Sequence, residues 1–403
     1  MRSKDLGLEG LRGIASMAVA VGHCLFVFFP YLGNLFRPIP GLEPTYSFER
    51  WLRYPPFTLL YSADAAVAVF FVMSGYVLSG QYFATGDVTN LQTAAAKRYV
   101  RLVLPSLASV MLAWALWRSG AIITGESAAL GVGGWVVTSY VGPFSFFHSL
   151  FDGLIGAPLF GHTALNSSLW TIQVELIGSI LLFAMLAALG RHPLWFVAWF
   201  LFFADVLGYS SPNALYYISF LVGAFLNPAR QWLTSHQVLA ALFAAVGLIG
   251  VAYNNFRLFA PLQAIHLPNL QPYGPRFADN PLLLWNTIGA SFLVAGVLGC
   301  RAIHNLLATT VPVFLGKISF SVYVIHFPLL MSVGLRSARA AQRGGLSYPV
   351  SAAVALVVYL TVVLAIASLF QRFVDRPSID LAARIARRGS VREESKVAAP
   401  TSG

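Results

Sequence analysis

The most regular feature of the sequence is a series of apolar runs, each about 20 residues long and separated by polar or proline-rich residues. A helix of that length spans the hydrocarbon core of a bilayer, whereas strands of a membrane barrel would be apolar at every second position. The pattern predicts an all-α integral membrane protein, a bundle of about ten transmembrane helices. The predicted spans are 8–29, 62–83, 101–118, 168–189, 193–209, 213–227, 236–253, 281–300, 318–335 and 349–371.

Composition agrees with this class of protein. Only 10% of the residues are charged, whereas soluble domains carry about 25%. The net charge of +11 would suit nucleic acid, but an excess of Lys and Arg on cytoplasmic loops explains it better, because that excess orients membrane proteins. With the N-terminus inside, most Lys and Arg residues fall on the cytoplasmic side. We therefore expect both termini in the cytoplasm and no nucleic-acid partner.

The chain divides into one large and one small part. We expect a multi-span membrane domain over 1–380 and a disordered basic cytoplasmic tail over 381–403, whose basic start could contact anionic membrane lipids. Long outer loops rich in Pro, Gly and aromatic residues are predicted at about 30–61, 119–167 and 254–280. Such loops either cap an outward-facing cavity or lie at the level of the lipid headgroups.

Two ionisable residues, Arg12 and His23, lie inside the first predicted span. They are eleven residues apart, close to three turns of helix, so both lie on one face, separated by about 16 Å along the axis. An ionisable residue within the membrane is costly unless it is paired or hydrated, and it marks a functional pathway by default. This face is therefore the first candidate for function.

A pair of arginines, Arg98 and Arg101, lies at the predicted inner edge of the third span. Residues three apart lie on the same face of a helix. Guanidinium groups bind phosphate in a bidentate manner, better than Lys does. The pair is either a topological anchor or a site for a phosphorylated ligand.

The fourth span places Ser168, Thr171 and Glu175 on one helical face, at spacings of three and four residues. A carboxylate inside the membrane needs a partner or a proton. Glu175 could form a structural ion pair with Arg12 or Arg98. Alternatively, it binds the acceptor or takes part in acid–base chemistry.

A second intramembrane histidine, His326, lies in the ninth span just before Pro328. The missing N–H of proline loosens a helix at that point. This histidine is either a packing residue or part of a site.

A stripe of small residues occupies one side of the second span. Small residues at such spacings let another helix approach closely, so the pattern favours helix packing. The stripe consists of Ser74, Gly75, Ser79 and Gly80.

Metal dependence is not expected. The sequence contains no zinc motif, phosphate-binding glycine loop or nucleophile elbow. His148, His162 and His266 are scattered on predicted outer loops without the spacing of metal ligands. Cys24 and Cys300 both fall inside predicted spans, so a disulfide framework is not expected.

Taken in order, these segments resemble the membrane-bound acyltransferase-3 family of multi-span O-acyltransferases, in the type that has no soluble esterase-like domain. The resemblance rests on six motifs, and it covers most of the predicted helical core. The motifs are LEGLRGIASMAVAVGHC, FFVMSGYVLSG, KRYVRLVLP, SLWTIQVEL, GKISFSVYVIHFPLL and RFVDRP.

The resemblance implies transfer of an acyl group from cytoplasmic acyl-CoA, often acetyl-CoA, to a hydroxyl of an extracytoplasmic glycan, glycolipid or similar acceptor. His23 matches the family's candidate catalytic histidine, and Arg12 its partner arginine. Arg98 and Arg101 match the pair linked to acyl-CoA. Arg12 would line the passage of the pantetheine arm or stabilise developing negative charge. We expect His23 to act as a general base, with Glu175 orienting His23 or the acceptor.

The remaining matches concern the acceptor. We expect Ser168, Trp170 and His326 to contact it. Trp170 matches the family's SLW segment near the site, and His326 matches the histidine of the ninth-span motif. The sequence departs from the family in two places. Many members carry Asp just before the second motif, whereas this chain has Ala68-Val69 there and Asp64 four residues before Ala68. Many members have paired Glu after SLW, whereas this chain has Val174-Glu175. A catalytic role for Asp64 is therefore not expected.

These observations predict an acyltransferase of a bacterial cytoplasmic membrane. The alternative is a transporter of a polar lipid or glycan that uses the same intramembrane polar residues. Internal repeats and broken helices are typical of transporters, and no clear repeat relates the two halves of this sequence.

Overall fold

The computed structural model describes the chain over 4–36, 41–123, 139–162, 164–192, 194–201, 213–265 and 281–397. In these residues all regular secondary structure is helical. The long helices are α1 (Leu6–Phe28), α2 (Ala63–Thr85), α3 (Thr89–Arg118), α4 (Trp170–Leu189), α5 (Leu194–Leu201), α6 (Ala214–Ser235), α7 (Gln237–Val251), α8 (Pro281–Gly299), α9 (Thr310–Leu329), α10 (Tyr348–Phe370) and α11 (Arg376–Val397).

Short helices connect these elements. Three are π-helical turns, at Asp152–Gly156, Leu330–Gly334 and Gln371–Asp375. The others are Pro30–Asn34, Glu49–Leu52, Phe57–Leu60, Phe146–Phe151, Ala157–Phe160, Ser167–Leu169, Arg257–Phe259, Ala260–Gln263, Arg301–Leu307 and Leu335–Arg343. The last long helix, α11, covers much of the tail for which the sequence predicts disorder.

A helix stands at the place of each of the ten predicted spans. Among the described residues, seven helical segments are long and apolar enough to cross a membrane: Leu6–Phe28, Ala63–Thr85, Thr89–Arg118, Ser167–Leu189, Pro281–Gly299, Thr310–Arg343 and Tyr348–Ala386. The other three predicted spans correspond to α5, α6 and α7, and 202–212 lie outside the described residues. The helical membrane class agrees with the prediction, whereas the count of ten and the placement of the termini stay predictions.

The third helix begins at Thr89, well before the predicted start at residue 101. The intervening residues include three alanines and two long basic side chains, all good helix formers. An apolar run marks only the part of a helix that suits lipid, so it cannot reveal where the helix begins. Arg98 and Arg101 therefore lie well inside α3 rather than at its end.

Part of the predicted outer loop 119–167 packs along α3. The indole N–H of Trp114 donates to the carbonyl of Phe144 at 3.0 Å, and the hydroxyl of Tyr99 donates to the carbonyl of Leu154 at 2.7 Å. The segment therefore follows α3 back from near its C-terminal end toward its middle before α4 begins. The described part of this connection, 139–162, is thus largely helical and runs back along α3.

Close helix crossings hold the bundle together at glycines. A Cβ atom on Gly75 would overlap the backbone of Phe220, and one on Gly223 would overlap the backbone of Val72. The α2–α6 crossing is further joined by Asn227, whose side-chain amide donates to the carbonyl of Tyr76 at 2.8 Å. These contacts confirm the prediction that the small residues of the second span allow close helix packing.

Substitution of Gly223 by Ala should destabilise the protein, because no room exists for a methyl group between α6 and the backbone of α2. Overpacking of this kind costs about 1–3 kcal/mol. The measurement is the unfolding temperature of the purified protein in detergent.

The matched control is Gly344→Ala. Gly344 has a φ of −77°, and a Cβ there would meet only ordinary contacts. Equal unfolding temperatures for the two variants would contradict the tight α2–α6 crossing.

Candidate active site

The described residues enclose a cavity of about 150 Å³ between α1, α2, α3, α4 and α9. Most of its wall is apolar, with aromatic rings from Phe70, Phe71 and Phe320. Its polar lining residues are Arg12, Ser74, Arg98, Arg101, Thr171, Glu175, Ser319 and Tyr323. The cavity thus brings together four of the charged residues singled out in the sequence, from three different helices.

Arg98 and Glu175 form an ion pair at this cavity. Arg98 is buried, and its Nε donates to the hydroxyl of Ser179 at 3.0 Å. The same Glu175 oxygen accepts a hydrogen bond from the hydroxyl of Ser74 at 2.9 Å. The structure therefore contains the structural ion pair with Arg98, which was one of the two alternatives stated for Glu175. Both charges are compensated where desolvation would make an unpaired charge costly.

Arg12 reaches the cavity from α1. Its Nη2 lies 3.5 Å from the Glu9 carboxylate and 3.3 Å from the carbonyl of Gly316. Glu9 also binds Lys4, at 2.6 Å. The Nε of Arg12 is buried and has no hydrogen-bond partner among the described residues. A donor without a partner in a buried position is costly, so this guanidinium has unused capacity to bind an acceptor group.

Arg101 is the third guanidinium of the cavity. Within the described residues it makes no ion pair or hydrogen bond, although Asp375 and Glu175 lie within electrostatic range. Arg98 and Arg12 also act on it, with like charge. Three arginines therefore face the cavity together with one lining carboxylate, which already binds Arg98. The net positive charge favours an anion in this space.

His23 and His326 pair with each other farther along α1 and α9. Nδ1 of His23 lies 2.8 Å from Nε2 of His326, and the rings stack with centroids 5.0 Å apart. His326 is fully buried, and its Nδ1 lies 2.7 Å from the carbonyl oxygen of Tyr323. Because Tyr323 lines the cavity, one turn of α9 connects the cavity with the histidine pair.

The register of two parallel helices explains this arrangement. A Cβ atom on Gly13 or on Gly316 would overlap the opposite helix, so α1 and α9 touch at these glycines. Eleven residues separate Arg12 from His23, and ten separate Gly316 from His326. The helices run in the same direction, so a contact at the first position brings the second pair together.

The turn of α9 that carries His326 is fixed by polar contacts rather than loosened. Pro328 lacks the N–H that would bond the carbonyl of Val324. That carbonyl instead accepts hydrogen bonds from the hydroxyl of Ser109 at 2.5 Å and the side-chain amide of Asn166 at 2.7 Å. The carbonyl that the proline leaves free therefore links α9 to α3 and to the residues before α4. Such links are expected where a proline interrupts the hydrogen bonds of a helix buried inside a bundle.

None of the three predicted acceptor-binding residues, Ser168, Trp170 and His326, lines the cavity. The buried hydroxyl of Ser168 donates to the side chain of Asn166 at 2.6 Å. The ring of Trp170 packs on Tyr216 with centroids 5.4 Å apart. In the described part of the chain, the structure thus brings Arg12, Arg98, Arg101 and Glu175 to the cavity and pairs His23 with His326. The acceptor roles of Ser168, Trp170 and His326 stay predictions.

Three polar cavity residues were not singled out for chemistry in the sequence, Ser74, Ser319 and Tyr323. Ser74 belongs to the small-residue stripe, and its neighbour Gly75 makes the packing contact that the stripe predicts. The hydroxyl of Tyr323 donates to the carbonyl of Ser168 at 3.2 Å. A serine within a packing stripe gives no signal of its own, because its role depends on what the neighbouring helix presents. The described residues contain no cluster of His, Cys, Asp or Glu arranged to hold a metal ion.

Comparison with known proteins places this geometry in context. Residues 5–372 match the acyltransferase-3 family model, described as an acyltransferase domain. The chain is 24% identical to acyltransferase R4 of Phoma sp. (strain ATCC 20986 / MF5453), over 96% of this chain and 97% of the relative. It is 23% identical to O-acetyltransferase PaAT-1 of Phomopsis amygdali, over 93% of this chain and 83% of the relative.

A third relative is similar over most of its length. Acyltransferase clz18 of Cochliobolus lunatus is 22% identical, over 96% of this chain and 97% of the relative. No solved structure matches the chain significantly. The three relatives are fungal proteins, so they give no support to a bacterial membrane as the location.

Neutralising Glu175 alone should destabilise the protein, because Arg98 would lose its carboxylate partner in a buried position. Breaking such a pair by removing one member costs about 3–5 kcal/mol. Glu175→Gln should therefore lower the unfolding temperature in detergent more than Arg118→Gln, which changes an exposed arginine at the other end of α3.

The double variant Arg98→Gln/Glu175→Gln supplies the remaining corner of a mutant cycle. It should be less destabilised than the sum of the two single variants. Strict additivity would show that the two charges are not coupled in the folded protein.

Proposed function

This chain belongs to the acyltransferase-3 family, and on that premise we propose that it is a membrane-bound O-acyltransferase that uses acyl-CoA, with acetyl-CoA as the expected donor. The observation that carries the proposal is the cavity between membrane helices in which three arginines face one carboxylate. The name of one relative, an O-acetyltransferase, supports transfer to oxygen.

The donor follows from the charge of the cavity. Coenzyme A is a polyanion, with a diphosphate and a 3′-phosphate, and guanidinium groups bind phosphate oxygens in a bidentate manner. Arg101 has no ion-pair partner in the described residues, and Arg12 has a buried donor unused. Both lie in the halves of α1 and α3 that are predicted to be nearer the cytoplasm, where acyl-CoA is found. We assign these two arginines, with Arg98, to the donor.

Glu175 takes a different role from the one expected. Because its carboxylate binds Arg98 and accepts from Ser74, it holds the guanidinium of Arg98 at the wall of the cavity. In this proposal Glu175 is a positioning residue for Arg98 rather than for His23. It also limits the net positive charge of the cavity.

His23 is the proposed general base. It takes the proton of the acceptor hydroxyl while the hydroxyl oxygen forms a bond to the acyl carbon. The bond from that carbon to the sulfur of CoA breaks, and the sulfur leaves as a thiolate that receives the proton. Histidine suits this task because its charge changes near neutral pH. Arg12 lies about 16 Å from His23 along α1, a separation suited to the long flexible arm that carries the thioester of CoA.

The acceptor in this proposal is a hydroxyl of an extracytoplasmic glycan, glycolipid or similar molecule. His23 lies toward the end of α1 that is predicted to face outward, where such an acceptor would be reached. The bacterial cytoplasmic membrane remains the proposed location. Mass spectrometry of the glycans and lipids of source cells, with and without the gene, would identify the acylated compound.

Substitution of Arg101 by Gln should weaken acyl-CoA binding, because it removes a charged donor to phosphate. Hydrogen bonds to charged groups contribute about 1.5–3 kcal/mol, so KM for acetyl-CoA should rise by roughly 10- to 100-fold. The measurement is transfer of labelled acetyl in membranes at varied acetyl-CoA. Arg118→Gln, an exposed site on the same helix, should leave KM unchanged, and an unchanged KM for Arg101→Gln would make the arginine a topological anchor.

Substitution of His23 by Ala should lower kcat by about 10²–10⁴-fold, the usual contribution of a general base. Binding of acetyl-CoA, measured by titration calorimetry in detergent, should stay the same because the arginines are intact. Normal acylation by this variant would refute the assignment of His23.

A further inference from the structure

A continuous hydrogen-bonded chain runs from the backbone of α9 to the proposed base. The carbonyl of Tyr323 lies 2.7 Å from Nδ1 of His326, and Nε2 of His326 lies 2.8 Å from Nδ1 of His23. The three groups span α9 and α1 at one level of the bundle. The inference drawn from these hydrogen bonds rests on the proposed function, in which His23 is the base.

The carbonyl end fixes the tautomer of His326. A carbonyl oxygen only accepts hydrogen bonds, so Nδ1 of His326 must carry the proton that it shares with Tyr323. His326 is fully buried, and among the described residues no carboxylate lies within ion-pair distance of it. A buried cation without a counter-charge is costly, so the ring is neutral and its Nε2 is an acceptor.

The tautomer of His326 then decides the roles of the two nitrogens of His23. Because Nε2 of His326 accepts, Nδ1 of His23 must donate. The proton on Nδ1 is held in this hydrogen bond, so Nε2 is the nitrogen of His23 that gains and loses a proton during the reaction. Stacking of the two rings at 5.0 Å also fixes the plane of His23.

We propose that His326 is a positioning residue that sets the tautomer and orientation of His23, rather than a residue that binds the acceptor. In many enzymes a carboxylate accepts a hydrogen bond from the catalytic histidine and so orients it. Here the neutral imidazole of His326 would be the hydrogen-bond acceptor instead. A neutral partner avoids a buried anion in the membrane, whose desolvation would be costly. It still selects one tautomer of the base.

Several features of α9 make His326 a rigid partner. The carbonyl that anchors it belongs to Tyr323, whose ring packs edge-on against Phe70 with centroids 5.8 Å apart. The carbonyl of Val324, freed by Pro328, is held by Ser109 and Asn166. The side chain of Tyr323 and the carbonyl of the next residue are therefore both held by neighbouring elements.

Three substitutions of His326 separate the two hydrogen bonds. Gln places a carbonyl oxygen near the position of Nε2 and keeps an acceptor for His23. Asn keeps a donor near the position of Nδ1 for the Tyr323 carbonyl but does not reach His23. Leu keeps volume and removes both hydrogen bonds. All three leave the arginines of the cavity unchanged.

We expect kcat of His326→Asn and His326→Leu to fall at least tenfold, while His326→Gln retains most of the activity. KM for acetyl-CoA and for the acceptor should change less than twofold in each variant. A loss of kcat that follows only the unfolding temperature of the variants would indicate a purely structural role. A raised acceptor KM with unchanged kcat would indicate acceptor binding, and either result would overturn the proposal.

Nitrogen NMR of ¹⁵N-histidine-labelled protein in liposomes tests the tautomer directly. The signals of His326 should show a bonded proton on Nδ1 and none on Nε2, with His23 carrying a proton on Nδ1. A proton on Nε2 of His326 would overturn the proposal.

Different activities of the variants would refute the base role of His23 and the positioning role of His326. Full activity of His23→Ala would show that His23 is not the base and would refute the proposed function. An inactive His23→Ala together with fully active His326→Asn and His326→Leu would leave the base in place and refute only the positioning role.

Discussion

The close contact of α1 with α9 at Gly13 and Gly316 is the constraint on which the site depends. Neither helix has room for a side chain at the crossing, so the two backbones touch and their register is set. This register puts Arg12 against the carbonyl of Gly316 and His23 against His326. A shift by one residue in either helix would rotate both pairs by about 100° and separate them.

Charge compensation is the second constraint. Isolated guanidinium groups inside a membrane bundle are costly. The charges of the three cavity arginines are compensated by carboxylates to different degrees. Arg98 has a full ion pair, Arg12 shares Glu9 with Lys4, and Arg101 has only longer-range carboxylates. The compensation is thus incomplete and declines from one arginine to the next. Such a gradient suits the proposed binding of acyl-CoA, since full pairing would remove the attraction for its phosphates.

The sequence predicted the positions of the helices well and their contacts less well. Apolar runs located the membrane helices, and the eleven-residue spacing correctly placed Arg12 and His23 on one face. The start of α3 at Thr89 was missed, because hydropathy detects contact with lipid rather than helix formation. Glu175 was recognised as a residue that needs a partner, but its spacing could not distinguish Arg98 from Arg12. That choice depends on which helices are neighbours.

By itself, the sequence determined the helical membrane class, the family and the stripe of ionisable residues, since these follow from local composition, periodicity and ordered motifs. Tertiary structure alone decided the partners: Arg98 with Glu175, His23 with His326, and the carbonyl of Val324 with Ser109 and Asn166. The physical reason is that a buried polar group must be satisfied, yet many partners could satisfy it. Only the packing of the helices, set by glycine contacts, selects which partner comes within hydrogen-bond distance.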